Sequence, residues 1–273
     1  MNSENIKKVT NEAINQLAEA LNAGHSEALT RYLAAMAKFR TYSFFNLVLI
    51  LKQCPNATRV AGYRTWKSFG RQVRGGEKGI MIFAPIFRKQ TESSSDPKTT
   101  DEFRPVVTYR PVYVWDVEQT DGKDLPEIGR VTGDPSIYLE RLEAFVRANG
   151  VTLAYSADIA PAKGVAEKGK ITLLPNETPA DTFATLVHEC SHALLHQSAR
   201  RAETTKRIRE TEAEAVAFVV CQAIGLETST AAADYMALYG GDAKLLLESL
   251  EHVRQTASLI LDAIELYQQQ RAA

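Results

Sequence analysis

Apolar positions Ile6, Val9, Ala13, Ile14, Leu17 and Leu21 recur with a spacing near 3.6, which predicts an amphipathic helix over 3–21. A second helix fits 26–39, with Ser26 placed to cap its N-terminus. A third fits Tyr42–Lys52 and is ended by Cys54-Pro55-Asn56. The texture then changes. Thr58–Tyr63, Ile80–Ile86 and Val106–Val117 are rich in β-branched and aromatic residues and predict strands, with Gly70, Gly75, Gly76 and Gly79 punctuating the loops between them. The polar run Thr91–Asp101 predicts a hairpin tip, and the Gly, Asp and Pro residues of 119–135 predict a linker. Beyond it the pattern gives a helix over 135–148, short strands at 151–155 and 170–174, helices over 179–197 and 203–224, and a last helical region over 229–270. The expected class is α+β. N-terminal helices with a small curved antiparallel sheet form a domain over 1–120, a linker covers 121–134, and a mostly helical domain with a small sheet covers 135–273.

Composition changes this picture only slightly. With 273 residues, 45% of them apolar and 24% charged, the chain is an ordinary globular one, which excludes disordered and collagen-like classes. Charge changes it more. The net charge of −1 hides a basic front, because residues 1–90 carry 14 Lys and Arg against 5 Asp and Glu. A basic front and an acidic back predict two modules with different partners. Three widely separated cysteines do not make a disulfide framework, so a cytoplasmic location is expected. The start MNSENIKK has no apolar signal core, and the longest apolar stretch, Phe44–Leu51, is short and interrupted by Asn46, so no membrane partner is expected.

The densest chemistry lies in the segment 185–196. Three of the five histidines fall within nine residues, and His188-Glu189-x-x-His192 sits in an apolar helical pattern. The i, i+4 spacing puts His188 and His192 on one helix face, where their imidazoles can hold one divalent ion. Glu189 beside them is placed to act as a general base toward water, hence as the catalytic residue. Zn²⁺ is the default ion, and Mn²⁺ or Co²⁺ would suit the same ligands. The competing reading is a pair of satisfied core histidines. His196 continues the face, but its Cα lies about 12 Å from that of His188 on a straight helix, so it is read as a supporting or core residue. The third ligand is expected from the next helix, where Glu210 and Glu214 stand one turn apart. Glu210 is taken as the ligand and Glu214 as the carboxylate that orients a ligand histidine, with the exchange of these roles left open. Glu212, off that face, is expected to be solvated.

His188-Glu189-x-x-His192 followed by Glu210-x-x-Ala213-Glu214 resembles the glutamate-zincin metallopeptidases, including the ImmA/IrrE-like group. The resemblance covers roughly residues 150–225. It implies a zincin-like domain that hydrolyses peptide bonds in an unidentified protein substrate, with Lys170–Leu174 as the edge strand that such enzymes pair with an extended peptide. The donor that thermolysin-type enzymes aim at the oxyanion has only candidates here, Tyr235, Tyr239 and His252. No role attaches to Cys190 and Ser191.

Residues 52–89 hold nine Lys and Arg against the single acidic Glu77, interleaved with Tyr63, Trp66, Phe69, Phe83 and Phe87. Cations follow a phosphate backbone and aromatic faces stack on unpaired bases, a combination suited to single-stranded nucleic acid. A solvated basic face, or one that docks an acidic protein, is the plainer alternative. Tyr42-Ser43-x-x-Asn46, Ala57-Thr58-x-Val60-Ala61-Gly62-Tyr63-x-Thr65-Trp66, Gly70-Arg71-x-Val73-x-x-Gly76-Glu77-Lys78-Gly79-Ile80 and Val114-Trp115-Asp116-Val117-x-Gln119-Thr120-x-Gly122 resemble the N-terminal domain of ArdC-type antirestriction proteins. That family joins a single-strand DNA-binding domain to a zincin domain in this order. The resemblance implies a mobile-element protein that protects incoming single-stranded DNA from restriction. The DNA contacts are expected at Arg64, Trp66, Lys67, Arg71 and Lys78, and secondarily at Tyr42 and Asn46. Two other functions fit the same residues: a regulatory ImmA/IrrE-like endopeptidase that cuts a repressor, and a DNA-binding decoy whose zincin half is inactive.

Overall fold

The computed structural model describes residues 3–23, 26–87, 107–123, 135–196, 198–226 and 243–266. The hairpin tip expected at 91–101, most of the linker, and Tyr235 and Tyr239 lie outside the described residues. The chain divides into two units, one made of residues 1–10 and 48–124, the other of 11–47 and 125–273. Both mix helix with small sheets, the expected α+β class.

Three helices open the chain: α1 (Ser3–Asn22), α2 (Ser26–Lys38) and α3 (Phe44–Gln53). In the first unit, β1 (Val60–Ala61), β4 (Val107–Asp116) and β3 (Ile80–Phe87) form an antiparallel sheet in that order, with Ile82 opposite Val112 and Ile80 opposite Val114. A second antiparallel pair joins β2 (Arg71–Val73) to β5 (Thr120–Gly122). The strand expected over 58–63 is cut short, because Gly62 and Tyr63 turn the chain into the helix α4 (Tyr63–Ser68). Asp116 is the pin of this unit. Its buried carboxylate accepts from the backbone N–H groups of Thr58, Arg59 and Glu118 at 2.7–3.0 Å, tying β1 to the end of β4.

The second unit holds α5 (Ser136–Ala148), β6 (Thr152–Tyr155), β7 (Gly164–Glu167), β8 (Lys170–Leu173), α6 (Pro179–Leu195), α7 (Ser198–Glu203), α8 (Lys206–Ala223) and α9 (Ala243–Leu266). Its sheet runs β6-β8-β7, with β6 parallel and β7 antiparallel to β8. The strand expected at the edge, β8, is therefore central; β7, unmarked in the sequence because it is four residues between turns, is the edge strand packed against α6. Helices α6 and α8 start at good caps, Thr178 and Thr205, whose hydroxyls accept from the N–H of Asp181 and Ile208. Their buried faces, Phe183, Leu186 and Val187 on α6 with Ala213, Val216 and Val220 on α8, make the core with α9.

Residues 11–47 belong to this second unit, although their sequence position assigned them to the N-terminal domain. The cause is local. The apolar face of α2 packs on α8, and Arg40 forms ion pairs with Asp262 and Glu265 of α9.

Candidate metal centre and nucleic-acid interface

Helix α6 carries His188 and His192 one turn apart, and α8 crosses it so that Glu210 reaches both. The two Nε2 atoms lie 3.1 Å apart, and the Glu210 carboxylate oxygen lies 3.5 Å from that of His188 and 3.3 Å from that of His192. A tetrahedral ion with bonds of about 2.0–2.1 Å requires ligand atoms about 3.3 Å apart. The three atoms thus form one face of such a site, and the donor set of two imidazoles and a carboxylate fits a divalent ion. Glu210, not Glu214, is the carboxylate that meets both rings; Glu214 is half-buried one turn further along α8.

Burial favours the neutral imidazoles that a metal needs. It pushes the His188 pKa down, against the pull of Glu210, and it and the charge of His188 bring His192 down to about 4. Glu189 is buried against β7. Burial first, and then the Glu210 charge, raise its pKa to about 7, opposed by a hydrogen bond from the Ala166 backbone N–H. A carboxylate poised near neutrality suits a general base. The close approach of β7 depends on Gly164, where a Cβ would sit 2.8 Å from Glu189 Cγ and 2.6 Å from Thr185 Cγ2.

The sequence placed Glu212 in solvent. It is instead completely buried, where it hydrogen-bonds His196 Nε2 at 2.9 Å and pairs with Arg200. His196, 2% exposed, turns its Nδ1 to within 3.0 Å of His192 Nδ1. His196 is thus the side chain that meets the second ring nitrogen of His192. Helix periodicity missed Glu212 because α8 is buried on more than one face, with Ile208, Thr211, Glu212, Ala213, Ala215 and Val216 all enclosed. The nearly unbroken apolar run Ala213–Cys221 was the available signal. Half-buried His252 lies within electrostatic reach of Arg200 and Glu212.

In the first unit the expected DNA contacts divide. Arg64 and Lys67 are exposed on α4, and Lys78 is exposed before β3. Trp66 is not available to a base: it is 2% exposed, its Nε1–H donates to the Trp115 carbonyl at 2.9 Å, and its ring meets Phe69 edge-on. Arg71 is tied to β5, its guanidinium donating to Thr120 Oγ1, the Thr120 carbonyl and the Lys123 carbonyl. Asn46 is buried and Tyr42 half-buried, and both belong to the other unit. Phe83 is core as well. Among the described residues of this unit the exposed aromatic rings are Tyr63, Phe69, Tyr109 and Tyr113. Tyr63 meets Trp115 edge-on at 6.3 Å, and Gly79 packs so closely on Tyr113 and Trp115 that a Cβ there would sit 2.9–3.1 Å from them. Tyr63, Tyr113 and the Lys78–Gly79 backbone therefore adjoin the same Trp115. The sequence reading passed over Tyr109 and Tyr113; their spacing of four residues within one strand, which puts both on the same face of β4, was the available signal.

Residues 3–115 match the family model of the N-terminal domain of anti-restriction factor ArdC. This part of the chain is ArdC-like. An uncharacterized protein of Bacillus anthracis is 26% identical over 310 aligned positions, covering 96% of this chain and 52% of the relative, so the chain spans about half the length of the curated relative it matches. Two crystal structures of the antirestriction ArdC protein from plasmid R388 are also similar. The metal-free one is 22% identical over 81% of this chain and 84% of that one, with a TM-score of 0.48. The Mn(II)-bound one is 19% identical over 85% of this chain and 97% of that one, with a TM-score of 0.47. Among the described residues no helix is long and apolar enough to cross a membrane.

Proposed function

We propose that this ArdC-like chain is an antirestriction protein that binds single-stranded DNA through its first unit and hydrolyses a peptide bond through its second. The convergence of His188, His192 and Glu210 beside a buried Glu189 carries the reading. His188, His192 and Glu210 would hold the ion, Zn²⁺ by default and Mn²⁺ or Co²⁺ by the same donor chemistry. When bound, such an ion polarises a carbonyl and makes water more acidic. The chain supplies the rest. Glu189 takes the proton of the attacking water and returns it to the leaving amine. The Ala166 N–H fixes one side of that carboxylate, and β7, an edge strand of its sheet, lies beside the site along which an extended substrate would run.

Arg64, Lys67 and Lys78 supply the phosphate contacts, and Tyr63 and Tyr113 supply faces for unstacked bases. Three such contacts predict a salt dependence of single-strand affinity with a slope of about −2 in log K against log salt, at about 0.7 per contact. Substitution of Arg64, Lys67 and Lys78 by Glu is expected to abolish that slope and to remove protection of DNA transferred into a restricting host. The test is an oligonucleotide titration, single-stranded beside duplex, run with the transfer assay. Unchanged binding in the triple variant would contradict the interface, and unchanged protection by Glu189→Gln would make the chain a DNA-binding decoy.

A further inference from the structure

A chain of four buried or half-buried side chains runs away from the metal centre: His192, His196, Glu212 and Arg200. Glu212 has no solvent contact, and it receives hydrogen bonds from His196, Arg200 and Ser249. One of its oxygens is paired with the Arg200 guanidinium and the other faces His196 Nε2, so the carboxylate is held as the ion-pair partner of Arg200. An ionised carboxylate can only accept. A neutral His196 then carries its proton on Nε2 and donates it to Glu212, which leaves Nδ1 as an acceptor. The partner of that acceptor, 3.0 Å away, is His192 Nδ1. His192 must therefore hold its proton on Nδ1, and its Nε2 is left with a free lone pair.

We propose that His196 and Glu212 are positioning residues, which set the tautomer and ring orientation of His192 so that Nε2 faces Glu210 and His188 as a bare ligand. The inference rests on the reading of these three residues as a metal site. Ligand histidines generally give their second N–H to a carboxylate, a carbonyl or water; here the donation passes through a second imidazole before it reaches the carboxylate. Arg200 closes the chain by anchoring the other oxygen of Glu212. The bend of the chain at the end of α6 makes this possible. His196 has left the helical conformation, with its backbone at φ −106° and ψ 37°, while its N–H still donates to the His192 carbonyl.

The direction of the chain is fixed by Arg200, which can only donate. In Glu212→Gln the amide oxygen must face Arg200, so the amide NH₂ faces His196 Nε2. His196 then carries its proton on Nδ1 and donates to His192 Nδ1, and the His192 proton moves to Nε2, where it blocks the ligand lone pair. The substitution keeps the volume of the side chain and reverses every hydrogen bond on the path to the metal.

The experiment is nitrogen-15 NMR of the histidine rings in the metal-free full chain, with competition against a chelator for Zn²⁺. In the wild type His192 is expected as the Nδ1–H tautomer; in Glu212→Gln it is expected as Nε2–H, with Zn²⁺ affinity lowered about 10–100-fold. His196→Asn, whose Oδ1 stands as many bonds from the backbone as Nδ1, is expected to retain affinity that His196→Leu loses. An Nε2–H tautomer of His192 in the wild type overturns the proposal without reference to any variant. So does Glu212→Gln with unchanged tautomer and affinity. A wild type that shows the Nδ1–H tautomer but takes up no metal overturns the metal-site reading and leaves the tautomer assignment standing.

Discussion

Glu189→Gln is expected to lower hydrolysis of a quenched fluorescent peptide library by the Zn²⁺-loaded protein about 10²–10⁴-fold, the span of a lost general base. Metal content should not change, because Glu189 is outside the set of converging ligand atoms. The size of the effect follows from its surroundings. Glu189 is buried beside the converging ligand atoms with one side held by the Ala166 N–H, so it is placed to accept a proton from water and release it again. The amide of glutamine keeps the hydrogen bond from Ala166 through its oxygen but cannot take the proton. A rate equal to wild type at equal metal content would remove Glu189 from the chemistry. Loss of metal would mean that it acts on the ligands instead.

Trp66→Ala is expected to destabilise the unit of residues 48–124 by about 3–5 kcal/mol, the usual cost of deleting a buried large aromatic. The side chain is almost completely enclosed between α4 and β4, it meets Phe69, and its indole N–H satisfies the Trp115 carbonyl. Trp66→Phe should cost much less, about 1 kcal/mol beyond packing, for the carbonyl left without its donor. Urea denaturation of the three proteins measures the series, and binding of a single-stranded oligonucleotide to the Phe variant is expected to stay at the wild-type level. A Trp66→Ala protein of wild-type stability that had lost oligonucleotide binding would restore this residue to the interface.

These two residues show what could be read from the chain and what could not. The pair His188 and His192 was legible because helical spacing is local: two rings four residues apart in an apolar helix must share a face. Glu210 was legible as one of two carboxylates, and the crossing of α6 and α8 is what brings it to both rings. Glu212 was not legible, because periodicity assigns one inward face to a helix, and α8 is packed by α2, α6 and α9 on several. Trp66 was misassigned for a related reason. A basic segment interleaved with aromatics reads the same whether the rings point to solvent or to the core, and the burial of Trp66 and Phe83 beside exposed Tyr63 and Phe69 is set by tertiary pairing. The grouping of residues 11–47 with the second unit had no sequence signal either, since it rests on contacts of α2 with α8 and of Arg40 with α9, more than two hundred positions away in the latter case.

In the proposed function His188, His192 and Glu210 together hold one divalent ion. Calorimetric titration of the metal-stripped chain with Zn²⁺, and separately with Mn²⁺, tests it most directly, run for the wild type, His192→Ala and Glu210→Ala. The expected result is one equivalent bound by the wild type and a loss of that binding in both variants. No uptake by the wild type, or uptake unaltered by both substitutions, would contradict it.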